Sequence, residues 1–572
     1  MNQAQSESVP KLPPWAQEIK DRARAVDQAA AATASPEDPS TDADSVVATF
    51  NELTLAPVED YNALLETQPM GVYETWQSLY HARSRCGINR ELGACTKVIC
   101  EVFLASDTDS AKATLVHEFV NSGFGAFYRE VLTESDFFDE TPAFVYNILG
   151  MFDGLASLAS AESRSGRSRR IWSEMKKIAS VLWKVSWAHH EYFRPDHPME
   201  KYSPVPAHSF RRQLRHTLLV YHPLMRSDDE LLLDGYQDLR RLTLLAWFYD
   251  AEDNMEREEH QSEFLFPCIH TGFQARGGRS QDEIAESMLQ FVSEDITAVY
   301  GAETYLARLC FTFENPHYVD ELLYTFIMSS GRILMHPDFS PYYVSSGILD
   351  ALTEALERQA TRGSASAELQ WKILKDILPL FGWVSERTAL SDGAGYLIKN
   401  CDFIELLARS VLTSARATSD DGSTCADILK IYRTIASEVN TRSVKNPLRK
   451  TLRQSLRYEW YRTLKVLRAY SLSGERARRK HSKLLSSWKS LGEAIGLEEE
   501  AERADYEREM KKAAQFCSCK ECRYHTEKSD SPMKSCVGCG EARYCGRPCQ
   551  QRDWREGKHK ARCKRIKDAP NP

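Results

Sequence analysis

Glycine and proline are sparse, 27 and 23 of 572 residues. Together they make up about 9%, below the roughly 12% of ordinary globular chains, which excludes a collagen-like or low-complexity protein and favours helix. Long apolar runs are missing as well: no stretch approaches the roughly 18–20 residues of a bilayer span, so no membrane segment is expected. The opening MNQAQSESVPKLPPWAQ has no basic stretch followed by an apolar one. No secretory signal is therefore expected, and the chain is expected inside the cell, in cytoplasm or nucleus. Rossmann and P-loop glycine patterns, HExxH and GxSxG are all absent, which removes the common nucleotide, zinc-protease and serine-hydrolase signatures. What the chain does have is length and 42% hydrophobic residues, ample for a core.

Alternating strand patterns are scarce, and the dominant signal is helical. Ile171, Met175, Ile178, Leu182 and Val185 recur at steps of three and four. So do Leu369, Ile373, Ile377 and Phe381, with Leu374 and Leu378 beside them. Ile348, Leu349, Leu352 and Leu356 repeat the pattern, each the mark of an amphipathic helix. Ser280 with Glu283 predicts a capping box. The expected fold is mostly α: a helical body, in architecture an armadillo- or HEAT-like solenoid without a clean repeat, followed by a small C-terminal module. Residues 1–45, rich in Ala, Ser, Asp and Pro, are expected to be a disordered tail. Residues 46–441 form the body, 442–489 a basic amphipathic segment, 490–512 an acidic helical connector and 513–567 the module.

Charge is unevenly spread although it sums to only −8. Arg442–Lys489 carries 15 Lys/Arg against two acids, and residues 511–567 carry 16 against six. The span 490–510 between them holds eight acids against two arginines. Residues 1–441 are left with −24. Tyr458, Trp460, Tyr461 and Tyr470 among the arginines make a nucleic-acid face conceivable. The acidic body, at −24, offers a plainer destination for the basic stretch, and packing on it is the expectation; the opposite charges of the successive segments 442–489 and 490–512 can also attract each other.

Eight of the 15 cysteines fall within residues 517–563. In a reducing compartment such density means metal rather than disulfides. Four pairs stand out: Cys519-x2-Cys522, Cys536-x2-Cys539, Cys545-x3-Cys549 and His559-x3-Cys563. Each has the spacing with which a turn or helix start aims two ligands at one tetrahedral zinc, and eight ligands make two closed, structural sites. Cys517 is a ninth candidate that would replace part of the first pair. The two-residue gap of Cys519/Cys522 fits a zinc knuckle better, and His525 is expected to be solvated.

Tyr544, Cys545, Cys549, Gln550, Asp553 and Trp554 stand as YC-x3-CQ-x2-DW, and with the preceding pairs and H-x3-C this resembles the MYND-type zinc finger. The resemblance covers roughly 50 residues and implies interleaved ligands. Cys519, Cys522, Cys545 and Cys549 would hold one zinc, and Cys536, Cys539, His559 and Cys563 the other. The thirteen residues between Cys522 and Cys536 and the four between Trp554 and His559 are longer than usual in that family. MYND modules take short, often proline-containing peptides from protein partners. Gln550 is then expected to pair with a peptide backbone and Trp554 to offer a flat ring, unless Trp554 is only a plug between the zinc sites.

Some MYND-bearing chains are SET-domain methyltransferases, but the Asn-His dipeptide of that core is absent. The cluster His189, His190, Glu191 and His197 lacks helical ligand spacing and is expected to be a helix end leading into a loop. No enzyme activity is expected. The expected function is a zinc-binding interaction or adaptor protein. A nucleic-acid-associated regulator is the alternative, or a ubiquitin-ligase adaptor by layout alone.

Overall fold

The computed structural model describes residues 58–83, 90–165, 169–195, 205–225, 236–249, 264–269, 280–316, 318–363, 365–387, 393–419, 422–470, 474–513, 515–529, 531–557 and 559–563. The tail expected at 1–45, and His197, lie outside them. The described residues are overwhelmingly helical, with one two-stranded sheet. Two compact units divide the chain, Met1–Gln274 and Ala275–Pro572.

The first unit contains α1 Val58–Thr67, α2 Pro69–Ala82, α3 Arg90–Leu104, α4 Ser110–Asn121, α5 Phe124–Thr133, α6 Pro142–Ser165, α7 Arg169–Ala188, α8 Ala207–Met225 and α9 Tyr236–Phe248. α6 is central, flanked by α3 and α8. Its glycines explain the close approach: a Cβ on Gly154 would stand 2.3 Å from the Phe103 backbone, and one on Gly150 2.7 Å from Gln213. The sequence expectation of no membrane-length segment needs correction here. Residues Pro142–Arg164 are long and apolar enough by composition to cross a bilayer, and 72% of that window is buried inside the fold, as in a core helix. Ile171, Met175, Ile178 and Leu182 of α7 are buried as the periodicity requires, while Val185 is only half-buried. His190 and Glu191 lie in a 3-10 turn after α7, where Nδ1 of His190 is 3.0 Å from the Trp187 carbonyl.

The second unit begins with α10 Gln281–Phe291, entered through the expected capping box: Glu283 N–H donates to Ser280 Oγ, and the Glu283 carboxylate accepts from Ser280 N–H. There follow α11 Ala302–Glu314, α12 Asp320–Leu334, α13 Ile348–Arg362, α14 Ala367–Arg387, α15 Gly393–Asn400, α16 Phe403–Arg416, α17 Ser423–Thr441, α18 Pro447–Arg468, α19 Glu475–Ala494 and α20 Glu499–Ala513. Alternate helices lie side by side, α11 on α13, α12 on α14, α14 on α16, α16 on α18 and α17 on α19. Ile373, Ile377, Phe381 and their neighbours Leu374 and Leu378 are buried, as are Ile348, Leu349, Leu352 and Leu356.

The basic stretch forms α18 and α19. Leu448, Leu452, Leu456, Trp460, Leu464 and Leu467 make the buried stripe of α18. Trp460 and Trp488 bond reciprocally, each indole N–H donating to the other's carbonyl at 2.8 and 3.0 Å. Gly492 makes room for this pair, since a Cβ there would lie 2.2 Å from Trp460. The arginines meet the acidic connector: Arg457 pairs with Glu502 (2.8 Å) and Asp505, Arg468 with Glu499, and Lys489 with Glu499 (3.3 Å). Of the aromatics considered for base stacking, Trp460 and Tyr461 are buried and Tyr458 is exposed.

Candidate metal centre

After α20 the chain has almost no apolar residues to bury, and sulfur takes their place. The small core of this region is Cys517, Cys519, Cys536, Cys539 and Tyr544. Two short strands, β1 Lys534–Ser535 and β2 Arg543–Tyr544, pair antiparallel, with Lys534 opposite Tyr544 and Ser535 opposite Arg543. The turn between them is tied by Cys536 N–H to the Ala542 carbonyl and Gly540 N–H to the Cys536 carbonyl, both 2.8 Å. Gly540 sits at φ +70°, a conformation that favours glycine. Helix α21, Arg547–Arg555, and the one-turn α22, His559–Arg562, follow.

This framework gathers two groups of four ligand atoms. One is Cys517, Cys522, Cys545 and Cys549; the other is Cys536, Cys539, His559 and Cys563. In the second, Cys536 Sγ and Cys563 Sγ are 3.8 Å apart, and His559 Nε2 lies 3.4 and 3.8 Å from Cys536 and Cys539. In the first, the sulfur separations are 3.6 Å for Cys522–Cys545 and 3.4 Å for Cys545–Cys549. A tetrahedral zinc with Zn–S near 2.3 Å would hold its sulfurs about 3.8 Å apart. The spacing and the thiolate–imidazole donor set fit zinc, and two such ions can be held.

Titration behaviour supports the same conclusion. The neighbouring Cys563 thiol holds Cys539 down at about 3, burial opposing, with further help from His559 and from the N–H groups of Ala542 and Glu541. Conversely, Cys539 pushes Cys563 up. Burial, then Cys545 and Cys522, raise Cys549. Four sulfurs this close cannot all ionise alone, and a divalent cation removes the conflict.

The expected ligand Cys519 is not in the first group; Cys517 takes its place. Cys517 N–H donates to the Tyr524 carbonyl and Ser518 N–H to Arg543, each at 2.7 Å, which ties this segment against the strand leading into Cys545. The Cys517 sulfur receives backbone N–H groups from Cys545 and Cys519. Cys519 thus contributes its amide, and its carbonyl accepts Cys522 N–H at 3.0 Å. Its side chain, 3% exposed, fills the core. His525 is solvent-exposed, as expected, and its Nδ1 lies 2.8 Å from the Cys517 carbonyl.

Other signature residues brace the site. Tyr544 donates to Asp553 at 2.6 Å, both buried, joining β2 to α21. Trp554 is half-buried, edge-on to His559 with ring centroids 5.8 Å apart. Gln550, one turn earlier on α21, is half-buried too. Sequence inspection did not reveal Glu541. Its backbone N–H serves the Cys539 sulfur while its carboxylate accepts from Arg462 and, at 3.0 Å, from Tyr506. The same residue thus touches both a metal ligand and the helices α18 and α20. On another side α22 rests on α13. Compared with protein-family models, curated proteins and solved structures, the chain matches none.

Proposed function

We propose that the C-terminal module is a two-zinc finger of the MYND type that docks short peptides of partner proteins, so that the chain works as an interaction or adaptor protein without catalysis of its own. The observation that carries this reading is the pair of interleaved four-ligand groups. With four protein ligands each, neither metal keeps a position for water or substrate, so the metals serve structure. Binding of this kind contributes roughly 10–16 kcal/mol per zinc, enough to fold a segment with so little apolar core.

Gln550 and Trp554, four residues apart on α21, share a helix face. Part of that face remains open, so an amide and an indole surface are available to a peptide. The partner is accordingly a protein with a short, proline-containing motif, met in cytoplasm or nucleus. Proximity labelling in the native cell, comparing wild type with Trp554→Ala and Cys545→Ser, tests the proposal. Partners lost in both variants, with two zincs retained in Trp554→Ala, support it. Partners unchanged in both would move recognition to the helical body, and loss of zinc from Trp554→Ala would make that residue structural.

A further inference from the structure

A concave pocket of about 430 Å³ lies in the second unit, where the end of α16 meets the start of α19. Among the described residues, Arg416, Arg476, Lys480 and His481 line it against one carboxylate, Glu475, and that carboxylate is paired with Arg479 at 3.2 Å. The fold fixes most of these side chains. Arg416 donates from Nε to the Tyr470 hydroxyl at 3.0 Å. Lys480, 8% exposed, donates to the Ala417 carbonyl. Nε2 of His481 lies 2.7 Å from the Leu467 carbonyl; since a carbonyl only accepts, that nitrogen carries the proton. Arg476 is exposed and has no acidic partner among the described residues.

We propose that this pocket binds a phosphomonoester, its phosphate between Arg416 and Arg476 and its organic part against Tyr470 and the neighbouring alanines. Paired guanidinium groups match the several acceptor oxygens and double charge of a phosphate better than those of a carboxylate. The start of α19 adds to the same field. Gly474 offers no side-chain cap, and Arg478 N–H is the first to enter the helix, bonding the Gly474 carbonyl at 3.2 Å. The volume exceeds that of a bare phosphate and falls in the roughly 300–1,000 Å³ range of small-ligand sites. An ester, with an apolar portion for the alanine and tyrosine wall, fits the space.

The phosphate can come from a phosphoserine side chain of a partner or from a small metabolite. Calorimetric titration of the full zinc-loaded chain separates the two sources. The probes are phenyl phosphate, a short alanine-flanked phosphoserine peptide and its unphosphorylated form. Saturable binding of at least one phosphorylated probe, none of the unphosphorylated peptide, and a loss of roughly tenfold or more in Arg416→Gln and in Arg476→Gln are expected. Arg416→Gln also breaks the contact to Tyr470, so exposed Arg476→Gln is the decisive variant, with unchanged circular dichroism as its control. Binding of phenyl phosphate alone names a metabolite, and binding of the peptide names a protein. Absence of saturable binding by either probe up to about 10 mM, or equal affinity in wild type and Arg476→Gln, overturns the proposal.

Discussion

Cys517→Ser and Cys519→Ser alter neighbouring members of one C-x-C pair, yet only the first should lower metal content. The Cys517 sulfur belongs to the first group of ligands, whose sulfurs stand as close as 3.4 and 3.6 Å. A serine hydroxyl, protonated at neutral pH, does not replace a thiolate. If the roughly 10–16 kcal/mol of a structural zinc is shared among four ligands, losing one costs about 2.5–4 kcal/mol, or 10²–10³-fold in affinity. Against a chelator of suitable affinity, native mass spectrometry should count two zincs in wild type and at most one in Cys517→Ser. Cys519 is buried, and the conserved volume of serine leaves a hydroxyl in an apolar core. The expected cost is about 1–3 kcal/mol of finger stability with both zincs retained. Two zincs in Cys517→Ser and one in Cys519→Ser would refute the assignment and restore the x2 knuckle.

Gly492→Ala forces a methyl group to within 2.2 Å of Trp460. Overpacking of this kind costs about 1–3 kcal/mol or more and should lower the melting temperature by several degrees; an unchanged melt would show that the tryptophan pair yields freely. Arg462→Ala leaves the Glu541 carboxylate, 15% exposed, without its cation, at a cost of about 3 kcal/mol. Hydrogen exchange should rise at 536–545 and in α20, and protection equal to wild type would show that the contact does not anchor the finger. His216 is held above the ordinary imidazole value by its hydrogen bond to Asp153, burial opposing. That contribution is complete below the unfolded pKa and is lost as pH rises through the folded one. Asp153→Asn should therefore bring the His216 titration down, read by NMR, and reduce the loss of stability as pH rises above the ordinary imidazole value of about 6.5; the same titration in both proteins would exclude the coupling.

The parts of this fold that depend on neighbours three or four residues away were legible in the sequence. Apolar stripes such as Ile373–Ile377–Phe381 and the cap at Ser280 are local, and local periodicity reports them. The attraction between the basic helices and the acidic connector was also readable, because the segments are adjacent in the chain. Spacing fixes ligand pairs less firmly. Cys517 was visible as a candidate, but its selection over Cys519 depends on amide bonds from Cys545 and to Tyr524, which spacing does not encode. Nothing local marks Glu541 as the partner of Arg462, 79 residues away. The apolar character of 142–164 is spread among small residues and one buried aspartate, so no uninterrupted run betrays it, and only packing shows why Gly150 and Gly154 are there.

Interleaving of the two ligand groups bears on the order in which the metals arrive. Cys522 and Cys545, 23 residues apart, close a loop that contains Cys536 and Cys539. Cys539 and His559, 20 apart, close a second loop that contains Cys545 and Cys549. Each closure therefore shortens the free chain that the other must bring together, and the entropy of the second closure falls accordingly. Whichever ion binds first prepares the site of the other, so uptake should be cooperative and the singly loaded finger a scarce species. A cell short of zinc would then hold a mixture of full and empty fingers, and the module would answer falling metal supply as a switch rather than a gradual scale.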